Sequence, residues 1–154
     1  MCSALRVGLL LAGVVGMVGC GGGGQDEQPE QPEQQPVLLT EMATQGQLWQ
    51  QAAPTRYEIA VQYDCFCADA RVRSVVDRGN VVDVSPAGAP PVTVDMLLAD
   101  TRAMLAHGYA SANVDYDPTL GYPSRVAIDP DRGLIDDEWG FHVTCFATGD
   151  AHCP

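Results

Sequence analysis

Four cysteines, a run of acids and three histidines are the residues whose types and spacing could do chemistry. Cys65-Phe66-Cys67 sets two thiols close together, and Cys145 and Cys153 follow near the end of the chain. A reactive dithiol needs its thiolate favoured by a helix N-terminus or a neighbouring cation. Asp64 and Asp69 flank this pair instead, and negative charge opposes thiolate formation. Structural disulfides are therefore the stronger reading. A zinc site would normally use Cys-x₂₋₄-Cys spacing, which the motif does not have, so no metal ligand is assigned.

Asp129, Asp131, Asp136, Asp137 and Glu138 invite a calcium reading. An EF-hand loop requires Gly at position six and Glu at position twelve. Counted from Asp129 those positions hold Leu134 and Gly140, and counted from Asp115 the sixth is Leu120, so neither frame fits. Residues 129–138 read as a solvated acidic loop. His107 falls near a helix end, His142 on a polar strand face and His152 in the tail. There is no Gly-x-Ser-x-Gly elbow, phosphate loop or His-Glu-x-x-His. No catalytic residue and no cofactor are expected.

The chain has 154 residues and a net charge of −12, and all eight basic residues are Arg. That balance argues against nucleic-acid binding, which needs cations to neutralise phosphates. It argues equally against polybasic docking on anionic lipid. A hydrophobic fraction of 46% is enough for one folded domain.

Residues 7–18, VGLLLAGVVGMV, are uncharged and apolar. The run is shorter than the roughly 20 residues of a spanning helix and suits a signal-peptide core. It leads into Met17-Val18-Gly19-Cys20, which resembles the lipobox of bacterial lipoproteins. The resemblance implies a signal peptide over residues 1–19, a diacylated Cys20 and a membrane-anchored protein of the cell envelope. With Gly21 rather than Asp next, it implies the outer membrane where there are two. Residues 20–36 are rich in Gly, Gln, Glu and Pro, with no apolar residue from 21 to 35. They read as a disordered tether with a flexible span of about 20–25 Å. The remaining residues, 37–154, are expected to form a single domain, with seven Arg against sixteen acids, a net −9.

The elements that must position these residues follow from periodicity. Residues 37–53 read as a helix with Leu38, Met42, Trp49 and Ala52 on one face, ended by Pro54. Residues 56–67 alternate as a half-buried strand, with Tyr57, Ile59, Val61 and Tyr63 inward and Glu58, Ala60, Gln62 and Asp64 outward. Two Val-rich strands meet at Arg78-Gly79, a hairpin signal. Residues 93–107 read as a second helix, with Thr93 as N-cap and Gly108 as its stop. Three strands follow over 112–117, 123–129 and 138–148. The last carries Trp139, Phe141, Val143, Cys145 and Ala147 on one face. The expected fold is α+β: an antiparallel sheet of about six strands, order α-βββ-α-βββ, with both helices on one face. Val61-Gln62-Tyr63-Asp64 and Val114-Asp115-Tyr116-Asp117 echo each other, which would suit two equivalent halves.

Several motifs occur in a distinctive order: Tyr57 and Tyr63 leading into Cys65-Phe66-Cys67, a helix start at Thr93, Tyr116-Asp117-Pro118, Gly121-Tyr122-Pro123, Ile128-Asp129 and Asp136-Asp137-Glu138. The set resembles a family of small bacterial secreted or lipid-anchored domains of unknown function, over about residues 49–148. The layout also looks like the beta-lactamase-inhibitor-like and PepSY-like folds. Neither resemblance supplies a catalytic residue. Four cysteines allow three pairings. A bend after Cys67 favours Cys65–Cys67 with Cys145–Cys153, and a bridge from Cys145 across the sheet is the alternative. The function expected is non-enzymatic binding of an envelope protein or peptide. The rivals are thiol–disulfide exchange through Cys65 and Cys67, and metal or small-ligand binding by the loop 129–138.

Overall fold

The computed structural model describes residues 31–64, 71–134 and 137–154. The expected signal peptide and the lipobox-like Met17-Val18-Gly19-Cys20, residues 20–30, the Cys65-Phe66-Cys67 motif with its expected Cys65–Cys67 bridge, Asp69 and Asp136 lie outside the described residues. The chain runs from helix Gln31–Ala52 (α1) through strands Arg56–Tyr63 (β1), Arg71–Asp77 (β2) and Asn80–Ser85 (β3). Helix Val94–His107 (α2) follows, then strands Ser111–Tyr116 (β4), Pro123–Asp129 (β5) and Trp139–Thr148 (β6). The strands form one antiparallel sheet in the order β3-β2-β1-β6-β5-β4. This is the expected α+β arrangement.

Local chemistry explains most boundaries. The β2–β3 hairpin turns at Arg78 and Gly79, whose φ values of 51° and 75° are the left-handed pair that a two-residue turn needs. Thr93 caps α2 by accepting from the Met96 amide, and the Gly108 amide closes its other end on Leu105. Val94, Leu97, Thr101 and Leu105 form the buried stripe of α2.

α1 begins at Gln31, six residues before the boundary expected from composition. The final residues of the tether segment are therefore helical, despite Pro36 inside the helix. Tertiary contact outweighs local propensity here. Gln35 Nε2 donates to the Leu105 carbonyl at 2.7 Å, capping the open end of α2. At the other end of the pair Gln50 donates to Asp95 at 3.2 Å, so the two helices lie antiparallel.

The helix-facing side of the sheet is a continuous apolar core. Tyr57, Ile59 and Val61 of β1, Val72 and Val76 of β2, Val126 and Ile128 of β5 and Phe141 of β6 pack under Leu38, Met42, Trp49, Leu97 and Leu105. Trp49 meets Tyr57, Tyr122 and Phe146 edge-on at centroid distances of 5.5, 6.4 and 6.2 Å. Tyr122 and Phe146 stack at 4.7 Å. Offset stacks and edge contacts are the favoured geometries, worth about 0.5–1.5 kcal/mol beyond burial alone.

The turn between β4 and β5 explains its own motif. Asp117 accepts from the amides of Thr119 and Leu120. Gly121 has φ 75°, and a β-carbon there would lie 2.5 Å from the Gln45 carbonyl oxygen of α1. Only glycine permits both that conformation and that approach. Tyr122 and Pro123 are then buried against the helix layer.

Two expectations are corrected. A register shift at Ala60/Val61 in the β1–β6 pairing, a β-bulge around Thr144, reverses the alternation of β6. Phe146 therefore joins Phe141 on the helix side, and Cys145 and Ala147 turn to the opposite face. The echo of residues 61–64 in 114–117 does not mark equivalent halves. β4 runs opposite to β1, yet both three-strand groups keep the same left-to-right order and both helices share one face. No rotation relates the halves under those conditions.

Candidate functional site on the open face of the sheet

Among the described residues, only the C-terminal tail crosses the sheet face opposite the helices. Cys145 and Cys153 are joined by a disulfide with Cα atoms 5.6 Å apart, which folds the tail back over β6 and β1. Cys153 packs with Ala60 and Ala147 in a small second cluster. β1 is thus buried on both faces from Tyr57 to Val61, where simple alternation had predicted a solvated outer side.

The tail is held by Glu58, which sequence reasoning had placed among the outward polar residues. Its Oε2 accepts from the Cys153 amide at 3.0 Å and from Arg73 Nη1 at 3.2 Å. Its Oε1 lies 2.7 Å from His152 Nδ1, which donates because an ionised carboxylate only accepts. The His152 contact, then the Cys153 amide, hold the Glu58 carboxyl below its ordinary value of 4.5. Arg73 also reaches Asp83 at 2.6 Å. The signal that could have found Glu58 is its place on the strand that the Cys145–Cys153 loop must cross.

The Glu58–His152 pair has the outline of a carboxylate–imidazole dyad. Among the described residues, however, His152 hydrogen-bonds only Glu58, so the pair has no nucleophile to orient. Its geometry suits a clamp on the tail.

Beside the clamp runs a row of polar side chains. Arg71 of β2 pairs with Gln62 of β1, Gln62 with His142 of β6, His142 with Arg125 of β5, and Arg125 with Asp115 of β4. Directly paired residues share a face, so these five side chains cross the open face in one line. Arg71 and Arg125 are exposed. Asp64 lies 3.5 Å from His142. Among the described residues, neither Arg71 nor Arg125 has an Asp or Glu carboxylate within 4 Å, whereas Arg56 and Arg73 do, and Arg71 Nη2 donates to the Pro154 oxygen of the tail at 3.5 Å. On the far side of the row a shallow pocket of about 140 Å³ is lined by Ala127, Trp139 and Gly140, with Asp64, Asp129 and Glu138 at its edge.

The acidic loop is partly a turn. Asp131 accepts from the Gly133 amide at 2.9 Å, and the Leu134 amide returns to the Asp131 carbonyl. Among the described residues, one carboxylate oxygen of Asp129 and one of Asp137 are buried and find no hydrogen-bond partner. Among the described residues, no three His, Cys, Asp or Glu side chains converge as metal ligands. His107 lies in the last turn of α2, where a basic group complements the helix dipole.

A family of unknown function, DUF6174, matches residues 41–148. The chain belongs to DUF6174. The DUF6174 match enters within α1 and closes on the last residue of β6, so it takes in the whole sheet. His152 and Cys153, which form the clamp with Glu58 and Cys145, lie beyond it. No curated protein and no solved structure matches the chain.

Proposed function

We propose that this DUF6174 protein is a lipid-anchored envelope module that binds a protein or peptide on the open face of its sheet and carries no catalytic activity. The observation that carries the reading is the distribution of arginine. Four of the seven arginines of residues 37–154, namely Arg56, Arg71, Arg73 and Arg125, lie on this one face of a domain with net charge −9. Arg56 and Arg73 are paired there with Asp77, Glu58 and Asp83, whereas Arg71 and Arg125 have no Asp or Glu within 4 Å among the described residues and are the cations that support a ligand on this face.

The anchor rests on the likeness of Met17-Val18-Gly19-Cys20 to a lipobox. No helix among the described residues is long and apolar enough to cross a membrane, so Cys20 is the attachment in this reading. The tether holds the domain off the bilayer, and the outer membrane is the expected site in a two-membrane host. Thiol–disulfide exchange is the weaker reading. Cys145 and Cys153 are committed to the tail, and Cys65 and Cys67 would have to act between acids.

Two measurements test the proposal on the full chain expressed in a bacterial host. Labelling with an alkyne fatty acid should mark the wild type and not Cys20→Ser; equal labelling would remove the anchor. A photo-crosslinking amino acid at Ala127 on the open face should capture a discrete partner, and the same group at Ala103 on α2 should not. Capture at Ala103 alone would move the binding surface to the helix layer and overturn the assignment.

A further inference from the structure

The row across the open face has a geometry that goes further than a general binding surface. Three inter-strand steps separate Arg71 from Arg125, about 14 Å at the usual strand spacing. Between them stand Gln62 and His142, so the line presents two guanidinium groups, an amide and an imidazole. All four are hydrogen-bond donors, and the guanidinium fork is matched to carboxylate. An extended peptide rises about 3.4 Å per residue and sends every second side chain to the same side. Its residues i and i+4 are therefore about 14 Å apart, matching Arg71 and Arg125, with residue i+2 above Gln62 and His142.

We infer that this row is a binding site for an extended acidic peptide of the form Glu-x-Glu-x-Glu, laid across β2, β1, β6 and β5. The inference rests on the proposed binding role of the open face and names its ligand class. The surroundings set the ligand's width. Glu58 and Asp83 flank the row on the tail side, and Asp64, Asp129 and Glu138 flank it on the pocket side. Asp115 closes its β4 end. A broad polyanion, such as a duplex or an anionic bilayer, would meet those acids and the net charge of −9. A single strand fits between them. Arg73 is excluded from the recognition set because Glu58 and Asp83 already neutralise it.

The test is fluorescence anisotropy of the full chain in detergent with a labelled Glu-Thr-Glu-Thr-Glu peptide at low salt. Binding is expected, weakening as salt rises. Arg71→Gln and Arg125→Gln should each weaken it about five- to tenfold, and the double variant should abolish it. Asp64→Asn should strengthen it, and Arg78→Gln, a cation at the β2–β3 turn, should leave it unchanged. A Gln-Thr-Gln-Thr-Gln peptide should not bind.

No binding by the wild type, or an equal loss in Arg78→Gln, would overturn the inference. So would equal competition by inorganic phosphate, which would make the row a general anion site, or retention only on anionic vesicles. Failure of the peptide with continued partner capture at Ala127 would sink the acidic-peptide ligand and leave the open-face reading standing. Loss of both would sink the open-face reading.

Discussion

The two faces of the sheet are built on different principles, and β1 belongs to both. Toward the helices, Tyr57, Ile59 and Val61 enter an aromatic and aliphatic core fixed by shape. Toward the tail, Glu58 and Ala60 of the same strand are buried by five residues that follow Gly149, fixed by one disulfide and one carboxylate. The first face spreads its stability over many contacts. The second concentrates it in a few directional ones. A small domain can thus leave much of one side of a sheet uncovered while drying its central strand.

The contrast can be broken most forcefully from the covered side. Trp49→Ala removes the ring that meets Tyr57, Tyr122 and Phe146, and should cost about 3–5 kcal/mol by denaturant unfolding. A loss under 1 kcal/mol would mean that the aromatic cluster is not the organising core.

Next in size is the tail bridge. Cys153→Ser opens the short Cys145–Cys153 loop and should lower stability by about 2–3 kcal/mol. It should also raise hydrogen exchange at Ala60 without changing exchange at Ile59's helix-side neighbours. Uniform exchange across the sheet would erase the distinction between the faces.

Glu58→Gln comes third, at about 1–2 kcal/mol, because three donors lose an ionised acceptor. The pH dependence has a definite sign. A carboxyl held below 4.5 in the folded state binds its proton more readily when unfolded. Its stabilisation is complete above that ordinary value and is lost as pH falls through the lowered one. Melting temperature should therefore fall more steeply below pH 4.5 in the wild type than in Glu58→Gln. Parallel curves would rule out the clamp as the acid-sensitive element.

The smallest effect sharpens the comparison from alkaline titration. Burial, with Asp117 nearby, pushes the Tyr122 phenol up to about 12, and burial raises Tyr57, Tyr63, Tyr109 and Tyr116 as well. Phenolate absorbance should therefore stay low near pH 10 and rise together with unfolding. Stability should decline above that pH, since the unfolded chain releases those protons first. A full phenolate signal from the intact fold would contradict the packing.

The covered face was legible in the sequence because its causes are periodic. Alternation placed β1, the i, i+3, i+4 pattern placed α2, and Thr93, Gly108 and Arg78-Gly79 marked caps and turn. The open face was much less so. The bulge at Thr144 inverts Cys145 and Ala147, and no local residue type announces it. Glu58 looked solvated because the tail that buries it is far away in sequence. The Arg71–Gln62–His142–Arg125 row draws one residue from each of four strands, so only the register assembles it. Pro36 and its polar neighbours read as tether because Gln35's partner is a carbonyl on the other helix.

The strand order carries one more consequence, for the time course of folding. The middle of the sheet joins β1, the first strand made, to β6, the last, with Tyr57 opposite Thr148. The neighbouring hairpins close locally, but the central seam must wait until nearly the whole chain is present. Long-range antiparallel closure of this kind places folding in the millisecond-to-second range rather than the microseconds of helical bundles. During that interval both inner edges, β1 and β6, stand unpaired. The chain is then most exposed to wrong strand pairing just before β6, Trp139–Thr148, arrives.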